Sequence, residues 1–196
     1  MGAAGGGAGG GSGGGALDAG SGGGGGGADG GDTTDVRRVS KLRALDCGYN
    51  PIGPEGAKIV ANAFKFDETL EDLRLGWCHV GNKEGADAIA DIIRYNNTIR
   101  KMDLRGNTLG DKGVETISST LRVVNDSLEE LNLGFNEIKD KGVYSFAKML
   151  KEGGGGGGLK EVNLSNNYVT KLGEAAISEA VDTAFELYNR EVSVYY

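Results

Sequence analysis

The chain has 196 residues, of which 37 are glycine, and its formal net charge is −7. A chain of this length usually folds as one domain or slightly more. The acidic balance disfavours nucleic-acid binding, which normally requires a stripe of basic residues. No apolar run of about 18 residues occurs, so we expect neither a transmembrane helix nor membrane binding.

Residues 1–39 are predicted to form a disordered glycine-rich tail, followed by a folded domain over residues 40–196. Residues 1–35 contain four Asp, one Leu, no Lys or Arg and no aromatic residue. The rest of the chain therefore carries 24 acidic and 21 basic residues. A segment with so little apolar surface cannot offset the entropy lost on ordering, which is largest for glycine. It also lacks the apolar stretch of a secretory signal and the Arg of a transit peptide.

Five similar segments follow one another along the folded part. Each matches the pattern L-x-x-L-x-L-x-x-N/C-x-L, and their spacings are 28, 29, 29 and 31 residues. The alternating apolar pair in each segment, such as Leu73 and Leu75, predicts a short strand with one buried face. The segments begin at Leu42, Leu70, Ile99, Leu128 and Leu159.

One polar position recurs where the chain leaves each predicted strand. A buried side-chain amide there can satisfy backbone groups of neighbouring turns, so we predict a ladder of amides along the repeats. The ladder residues are Asn50, Cys78, Asn107, Asn136 and Asn167.

The second half of each segment is predicted to be an amphipathic helix that begins at a glycine. Apolar or small residues recur three, four, seven and eight places after it, as at Ala88, Ile89, Ile92 and Ile93 after Gly85. That spacing is typical of a helix with one face packed on a core. The glycines are Gly56, Gly85, Gly113, Gly142 and Gly173.

Strand-then-helix units of this length resemble the ribonuclease-inhibitor-like subfamily of leucine-rich repeats. That subfamily includes the repeat domains of NOD-like receptors and of the Ran GTPase-activating protein. The resemblance covers about Leu42 to Val181 and implies an α/β solenoid of five repeats. It implies a curved horseshoe segment with parallel strands on the concave face and helices on the convex face. It implies much less about function, because fold and function are separable.

The sequence departs from the pattern in three places. A run of glycines at 153–158 is predicted to be a flexible surface loop, although both glycine tracts could be low-complexity expansions without function. No cap precedes the first strand, so we expect a partner or, preferably, further repeats of a longer array to cover that edge. Alternation from Glu191 to Tyr196 predicts a final edge strand.

The strand positions outside the core pattern form columns across the predicted concave face. Aromatic residues recur at one rim of that face, beside Arg and acidic residues, and aromatics and Arg dominate protein interfaces. We therefore predict a protein-binding surface; the alternative for each ring is that it shields the glycines of adjacent loops. The predicted contact residues are Tyr49, Asp72, Arg74, Trp77, Lys101, Asp103, Arg105, Glu130, Asn132 and Phe135.

An enzymatic function is not expected. His79, the single histidine, has no evident nucleophile beside it, and Cys47 and Cys78 occupy core-pattern positions, where cysteine acts as a small hydrophobe. No phosphate-binding G-x-x-x-x-G-K-[ST] loop or metal-ligand cluster occurs, so no cofactor is expected. Two cysteines are too few for a disulfide framework. The chain is therefore expected to be intracellular, most simply cytoplasmic, with nucleus and plastid left open.

The resemblance to the Ran GTPase-activating protein leaves one sharper alternative, in which the partner is a small GTPase whose hydrolysis is activated. That family has a longer array and a strongly acidic C-terminal tail, whereas this sequence ends in Val194, Tyr195 and Tyr196. No catalytic residue of that family can be matched to a position here. We therefore favour a non-enzymatic interaction module with a protein partner.

Deleting residues 1–35 should leave the melting temperature nearly unchanged, because the deleted segment has almost no apolar surface to bury. Circular dichroism on the full chain and the truncated chain would measure the difference. A large drop would mean that the tail covers the first strand as a cap.

Overall fold

The computed structural model describes residues 41–152 and 156–196, so the predicted tail and residues 153–155 of the glycine run lie outside it. Six strands and five helices alternate along the described part. They are β1 (Ala44–Asp46), α1 (Gly53–Phe64), β2 (Asp72–Arg74), α2 (Glu84–Tyr95), β3 (Lys101–Asp103), α3 (Gly110–Val124), β4 (Glu130–Asn132), α4 (Asp140–Lys151), β5 (Glu161–Asn163), α5 (Lys171–Tyr188) and β6 (Ser193–Tyr195).

The strands form one parallel sheet in the order β1-β2-β3-β4-β5-β6. Each repeat pairs with the next in the same register, so equivalent residues form straight rows across the sheet. The central row contains Leu45, Leu73, Met102, Leu131, Val162 and Val194. The predicted leucine-rich-repeat solenoid is confirmed, and the C-terminal alternation forms β6 as predicted.

The core lies between the sheet and the helices. The central row of the sheet contributes Leu73 and Leu131, and the helices contribute Ile89, Ile117 and Phe146, all buried. Full burial of one such side chain contributes roughly 1.5–3 kcal/mol. Since side chains of a strand alternate between faces, the residues on either side of the central row point away from the core. We call that side the open sheet face.

The repeated glycines allow each helix to pack closely against the loop before it. A Cβ atom at Gly85 would lie 1.9 Å from the carbonyl oxygen of Val80, and one at Gly142 would lie 2.9 Å from the Cγ2 atom of Ile138. No larger residue fits at Gly85 without moving the backbone. The prediction that these glycines begin the helices is wrong by one to three residues, since the helices begin earlier, as at Glu84 and Asp140.

The described part of the glycine run contacts the loop of the preceding repeat. The Gly156 N–H donates to the Asn125 carbonyl oxygen, and the Gly157 N–H donates to the Asp126 carboxylate at 3.1 Å. A Cβ atom at Gly158 would lie 2.1 Å from the Asp126 carbonyl oxygen, so glycine is required there. The predicted flexibility of the loop stays a prediction.

Leu133→Ala should lower the free energy of unfolding by about 2–5 kcal/mol, because Leu133 is fully buried and its truncation leaves a cavity. Urea unfolding would measure the loss. The control is Leu172→Ala on α5, where the side chain is 70% exposed. The control should change stability by less than about 0.5 kcal/mol; equal losses in both variants would remove Leu133 from the core.

Candidate functional site

Side-chain amides hold the ascending loops, which are the segments that join each strand to the following helix. The Asn107 Oδ1 accepts from the N–H groups of Cys78 and Val80, at 3.0 and 3.1 Å. Its Nδ2 donates to the carbonyl oxygens of Leu75 and Leu104, at 2.7 and 2.9 Å. Asn136 repeats this arrangement one repeat later, and Asn167 repeats it again. The amide ladder that the sequence predicted is therefore present.

The ladder is weaker in the first two repeats. The Asn50 Nδ2 donates only within its own loop, to the carbonyl oxygens of Cys47 and Gly48. In the second repeat the Cys78 thiol donates to the Cys47 carbonyl oxygen at 3.1 Å. Burial raises the pKa of the Cys78 thiol, which keeps it protonated as a donor. A thiol offers one weak donor and a weakly accepting sulfur, which faces the Asn50 N–H, so it replaces an amide only incompletely.

A second amide ladder, which the sequence analysis missed, holds the descending loops between each helix and the next strand. The Asn96 Oδ1 accepts from the N–H groups of Thr98 and Ile99, and its Nδ2 donates to the carbonyl oxygens of Phe64 and Asp67. Asn125 makes equivalent bonds one repeat later. The recurrence of Asp67, Asn96 and Asn125 at 29-residue intervals could have revealed it.

Several polar residues of the open sheet face have a structural task. The Asp103 Oδ1 accepts from the Arg105 N–H at 3.0 Å, and the Asn132 Oδ1 accepts from the Gly134 N–H at 3.0 Å. Each bond starts the turn into an ascending loop, as Asp and Asn commonly do. Asp46 and Asn163 do the same. Arg74 is the exception in this row, and its Nη2 instead contacts the Asp72 carboxylate at 2.7 Å.

Charged residues of the open sheet face are mostly paired with one another. The Lys101 Nζ lies 2.6 Å from the Glu130 carboxylate, and the Arg105 Nε lies 3.0 Å from the Asp103 carboxylate. These pairs are exposed, so each contributes at most about 1 kcal/mol to stability. A shallow depression of about 220 Å³ brings six of the predicted contact residues together: Asp72, Arg74, Lys101, Asp103, Glu130 and Asn132.

The predicted aromatic residues form a contiguous row at one edge of the open sheet face. We call Tyr49, Trp77 and Phe135 the aromatic rim. The ring centroids of Tyr49 and Trp77 are 6.3 Å apart and nearly parallel, at 15°. Those of Trp77 and Phe135 are 5.4 Å apart, at 47°. The Trp77 ring lies on the backbone of Gly106, where a Cβ atom would be 2.3 Å from the ring.

The aromatic rim occupies backbone positions that suit glycine better. Tyr49, Trp77 and Phe135 have φ angles of +61°, +59° and +55°, in the left-handed region. Bulky residues avoid this region, at a cost on the order of 1–3 kcal/mol each. The equivalent positions of the other two repeats hold Gly106 and Asn166, which adopt it more easily. The contact between two rings recovers about 0.5–1.5 kcal/mol.

Shielding of neighbouring glycines explains the position of Trp77 but not the exposure of the other two rings of the aromatic rim. Trp77 is half-buried and covers Gly106, as the alternative interpretation requires. Tyr49 keeps 75% of its surface exposed and Phe135 keeps 46%. The Arg105 side chain extends over Gly76, where a Cβ atom would be 3.1 Å from its Cγ, and so lies between the rim and the depression.

The described residues contain no cluster of metal ligands. His79 is exposed, and no group of three or more His, Cys, Asp or Glu in this part of the chain could hold a metal ion. Residues 41–152 and 156–196 also contain no helix that is both long and apolar enough to span a membrane.

The model of the leucine-rich-repeat family matches residues 40–61, 67–90, 95–118 and 124–147, which correspond to four successive repeats. The chain is a leucine-rich-repeat protein. A search of curated proteins finds no match. The narrower resemblance to NOD-like receptors and to the Ran GTPase-activating protein stays a prediction.

Two solved structures share the fold of this leucine-rich-repeat protein. One is actin-binding site 2 of leiomodin-1, with a TM-score of 0.58 and 18% identity over 72% of this chain and 78% of that chain. The other is the tropomodulin C-terminal domain of Caenorhabditis elegans, with a TM-score of 0.61 and 16% identity over 76% of this chain and 89% of that chain. At these identities the likeness shows the fold alone.

Asn136→Ala should destabilise the protein by at least about 2 kcal/mol, because it leaves the buried N–H groups of Asn107 and Leu109 without their acceptor. Asn50→Ala is the matched control and should cost less than about 1 kcal/mol, since its bonds are exposed and lie within one loop. Urea unfolding of both variants would separate them. Equal losses of stability in the two variants would show that the hydrogen bonds between repeats add nothing to the free energy of unfolding.

Proposed function

We propose that this leucine-rich-repeat protein is a non-enzymatic interaction module that binds a partner protein with its open sheet face and its aromatic rim. One observation carries the proposal: Tyr49, Trp77 and Phe135 hold exposed or half-exposed rings on left-handed backbone where other repeats use glycine or asparagine. Such strain persists where the surrounding structure maintains it, and it is concentrated at functional sites.

The surroundings of the rim have the composition of a protein interface. Interfaces combine aromatic and Arg anchors with a polar margin. Here Arg105 covers Gly76, next to Trp77, and pairs with Asp103 of the depression that contains Arg74 and Lys101. A partner could therefore bury the rings and replace the exposed ion pairs within this face by ion pairs with its own side chains.

The charge state of the open sheet face favours binding over catalysis. Hydrogen bonding to Asp72 raises the pKa of Arg74, and hydrogen bonding to Glu130 raises the pKa of Lys101. Both groups therefore stay charged at neutral pH. A general acid or base works best with a pKa near the working pH. Groups held in one charge state are suited to recognition.

The proposed partner is a protein, and the similar proteins suggest two candidates that can be tested. Actin is one, because the similar region of leiomodin-1 is an actin-binding site. A small GTPase is the other, from the resemblance to the Ran GTPase-activating protein. An intracellular setting suits both probes and the two free thiols, Cys47 and Cys78.

Trp77→Ala/Arg105→Ala should weaken partner binding by about 30-fold or more, the effect of losing one interface hot spot. Affinity capture from cell extract with mass spectrometry would identify the partner, and titration of the purified partner would measure the dissociation constant. The control variant is Lys171→Ala/Leu172→Ala, which removes a basic and an exposed apolar side chain from α5. Both variants should remain folded, with cooperative melting transitions.

Tests with actin and with a captured small GTPase distinguish the interaction module from the GTPase activator. Cosedimentation with actin filaments, lost in the Trp77→Ala/Arg105→Ala variant, would support the module and identify its partner. Faster GTP hydrolysis by a captured GTPase would contradict the non-enzymatic proposal and establish the activator alternative. Unchanged partner affinity in a folded Trp77→Ala/Arg105→Ala variant would leave the rings with a structural role only.

A further inference from the structure

A second row of exposed apolar residues lies where the strands begin, whereas the aromatic rim lies where the strands end. Phe66, Tyr95, Val123 and Val124 stand at the ends of α1, α2 and α3, where the descending loops lead into the strands. We call these four residues the descending rim. Phe66, Tyr95 and Val124 recur at 29-residue intervals. Phe66 is 69% exposed and Tyr95 is 50% exposed, so neither belongs to the core.

The members of the descending rim form one continuous surface. The ring centroids of Phe66 and Tyr95 are 5.5 Å apart. Tyr95 and Val124 line the same shallow depression of about 580 Å³, together with Asn96 and Asn125 of the second amide ladder. The ladder fixes the backbone beneath the rings, since the Asn96 Nδ2 donates to the carbonyl oxygens on both sides of Phe66. A continuous exposed apolar surface commonly marks an interaction site.

One basic residue directly precedes the exposed apolar residues of this rim in each of the three repeats. The Lys65 Nζ lies 5.5 Å from the centroid of the Phe66 ring, and the Arg94 guanidinium lies 6.0 Å from that of Tyr95. Arg122 precedes Val123 in the third repeat, but its guanidinium pairs with the Glu152 carboxylate. Cation–π contacts of this kind hold the positive charge against the ring.

The cations beside the two rings have little neutralisation from neighbouring acids. The Lys65 Nζ donates to the Asn62 Oδ1 at 3.0 Å rather than to a carboxylate. Arg94 lies 3.5 Å from Asp91 in an exposed pair, which water screens strongly. Two further acids are engaged elsewhere, since Asp126 accepts from Gly157 and Glu129 pairs with Arg100 and Lys160.

We propose that the descending rim binds an acidic segment of a partner protein in which apolar side chains stand between carboxylates. The apolar side chains would cover Phe66, Tyr95 and the two valines, and the carboxylates would pair with Lys65 and Arg94. An anionic membrane fits this surface less well, because Glu68, Asp91 and Asp126 lie among the basic groups and a continuous layer of lipid head groups could not avoid them, whereas a peptide can place its carboxylates only at Lys65 and Arg94. A peptide can pass between these acids. This surface is separate from the aromatic rim.

Selection of a random-peptide library displayed on phage against the full chain tests the proposal. The selected sequences should be rich in Asp and Glu with aromatic or aliphatic residues between them. A synthetic peptide of that consensus should bind in calorimetric titration, and its affinity should fall as the NaCl concentration rises. Phe66→Ser/Tyr95→Ser should weaken binding by about tenfold or more, whereas Trp77→Ala/Arg105→Ala should leave it unchanged.

A second variant keeps the apolar surface and changes only its charge. Lys65→Glu/Arg94→Glu should abolish binding of the acidic peptide and leave the melting temperature unchanged. A consensus without acidic residues, or undiminished peptide binding in either rim variant, would overturn the proposal. So would binding of phosphatidylserine-containing vesicles that is lost in Phe66→Ser/Tyr95→Ser, because it would assign the rim to a membrane. Loss of peptide binding in Trp77→Ala/Arg105→Ala would place the peptide on the aromatic rim instead.

Discussion

The buried asparagine amide between adjacent repeats is the interaction on which this solenoid depends. Each strand is only three residues long, so the sheet alone joins neighbouring repeats through few hydrogen bonds. The ascending loops carry buried backbone groups that cannot reach water and must find partners in the protein. Asn107 and Asn136 supply those partners with both ends of the amide, accepting from the preceding repeat and donating to backbone carbonyls. The leucine core supplies the driving force, and the amides fix where each loop lies.

Fixed loops explain how bulky rings can stand on unfavourable backbone. A tyrosine, a tryptophan or a phenylalanine in a free loop would leave the left-handed region to relieve strain. Here each ring directly precedes a ladder residue, as Tyr49 precedes Asn50 and Phe135 precedes Asn136. The amide bonds of the ladder hold the backbone next to Trp77 and Phe135, since Asn107 accepts from the Cys78 N–H and Asn167 accepts from the Asn136 N–H. The Tyr49 N–H instead donates to the Gly76 carbonyl oxygen. The descending ladder lies in the same way at the opposite end of the strands, where Tyr95 precedes Asn96. Each row of exposed rings therefore lies beside one ladder.

The fold could be predicted from the sequence because its physical cause is periodic. Leucine at fixed places defines strand and helix faces, and asparagine at a fixed place defines the ascending ladder. The helix starts were predicted too late, because Gly85 marks a close contact with Val80 rather than the first helical residue. The descending ladder was missed because its position lies outside the leucine pattern, and because it holds an aspartate, Asp67, in one repeat and asparagines in the next two. The turn-forming role of Asp103 and Asn132 was also not predicted. In the sequence, a polar residue that hydrogen-bonds its own loop cannot be told from any other polar residue of a strand. The left-handed backbone of the aromatic rim could not be predicted, because aromatic residues seldom adopt it.

Native-state hydrogen exchange at the amides of Val80, Leu109 and Ile138, followed by NMR, tests the central claim most directly. Their N–H groups donate to the side-chain oxygens of Asn107, Asn136 and Asn167. Val80 and Ile138 lie in the loops that carry Trp77 and Phe135, and Leu109 lies in the loop of Gly106, which Trp77 covers. If the amides fix these loops, the three N–H groups should exchange only through global unfolding, with the protection of the central strand residues. Exchange through local opening at a much lower free energy would contradict the account, because the rings would then stand on loops that the ladder does not hold.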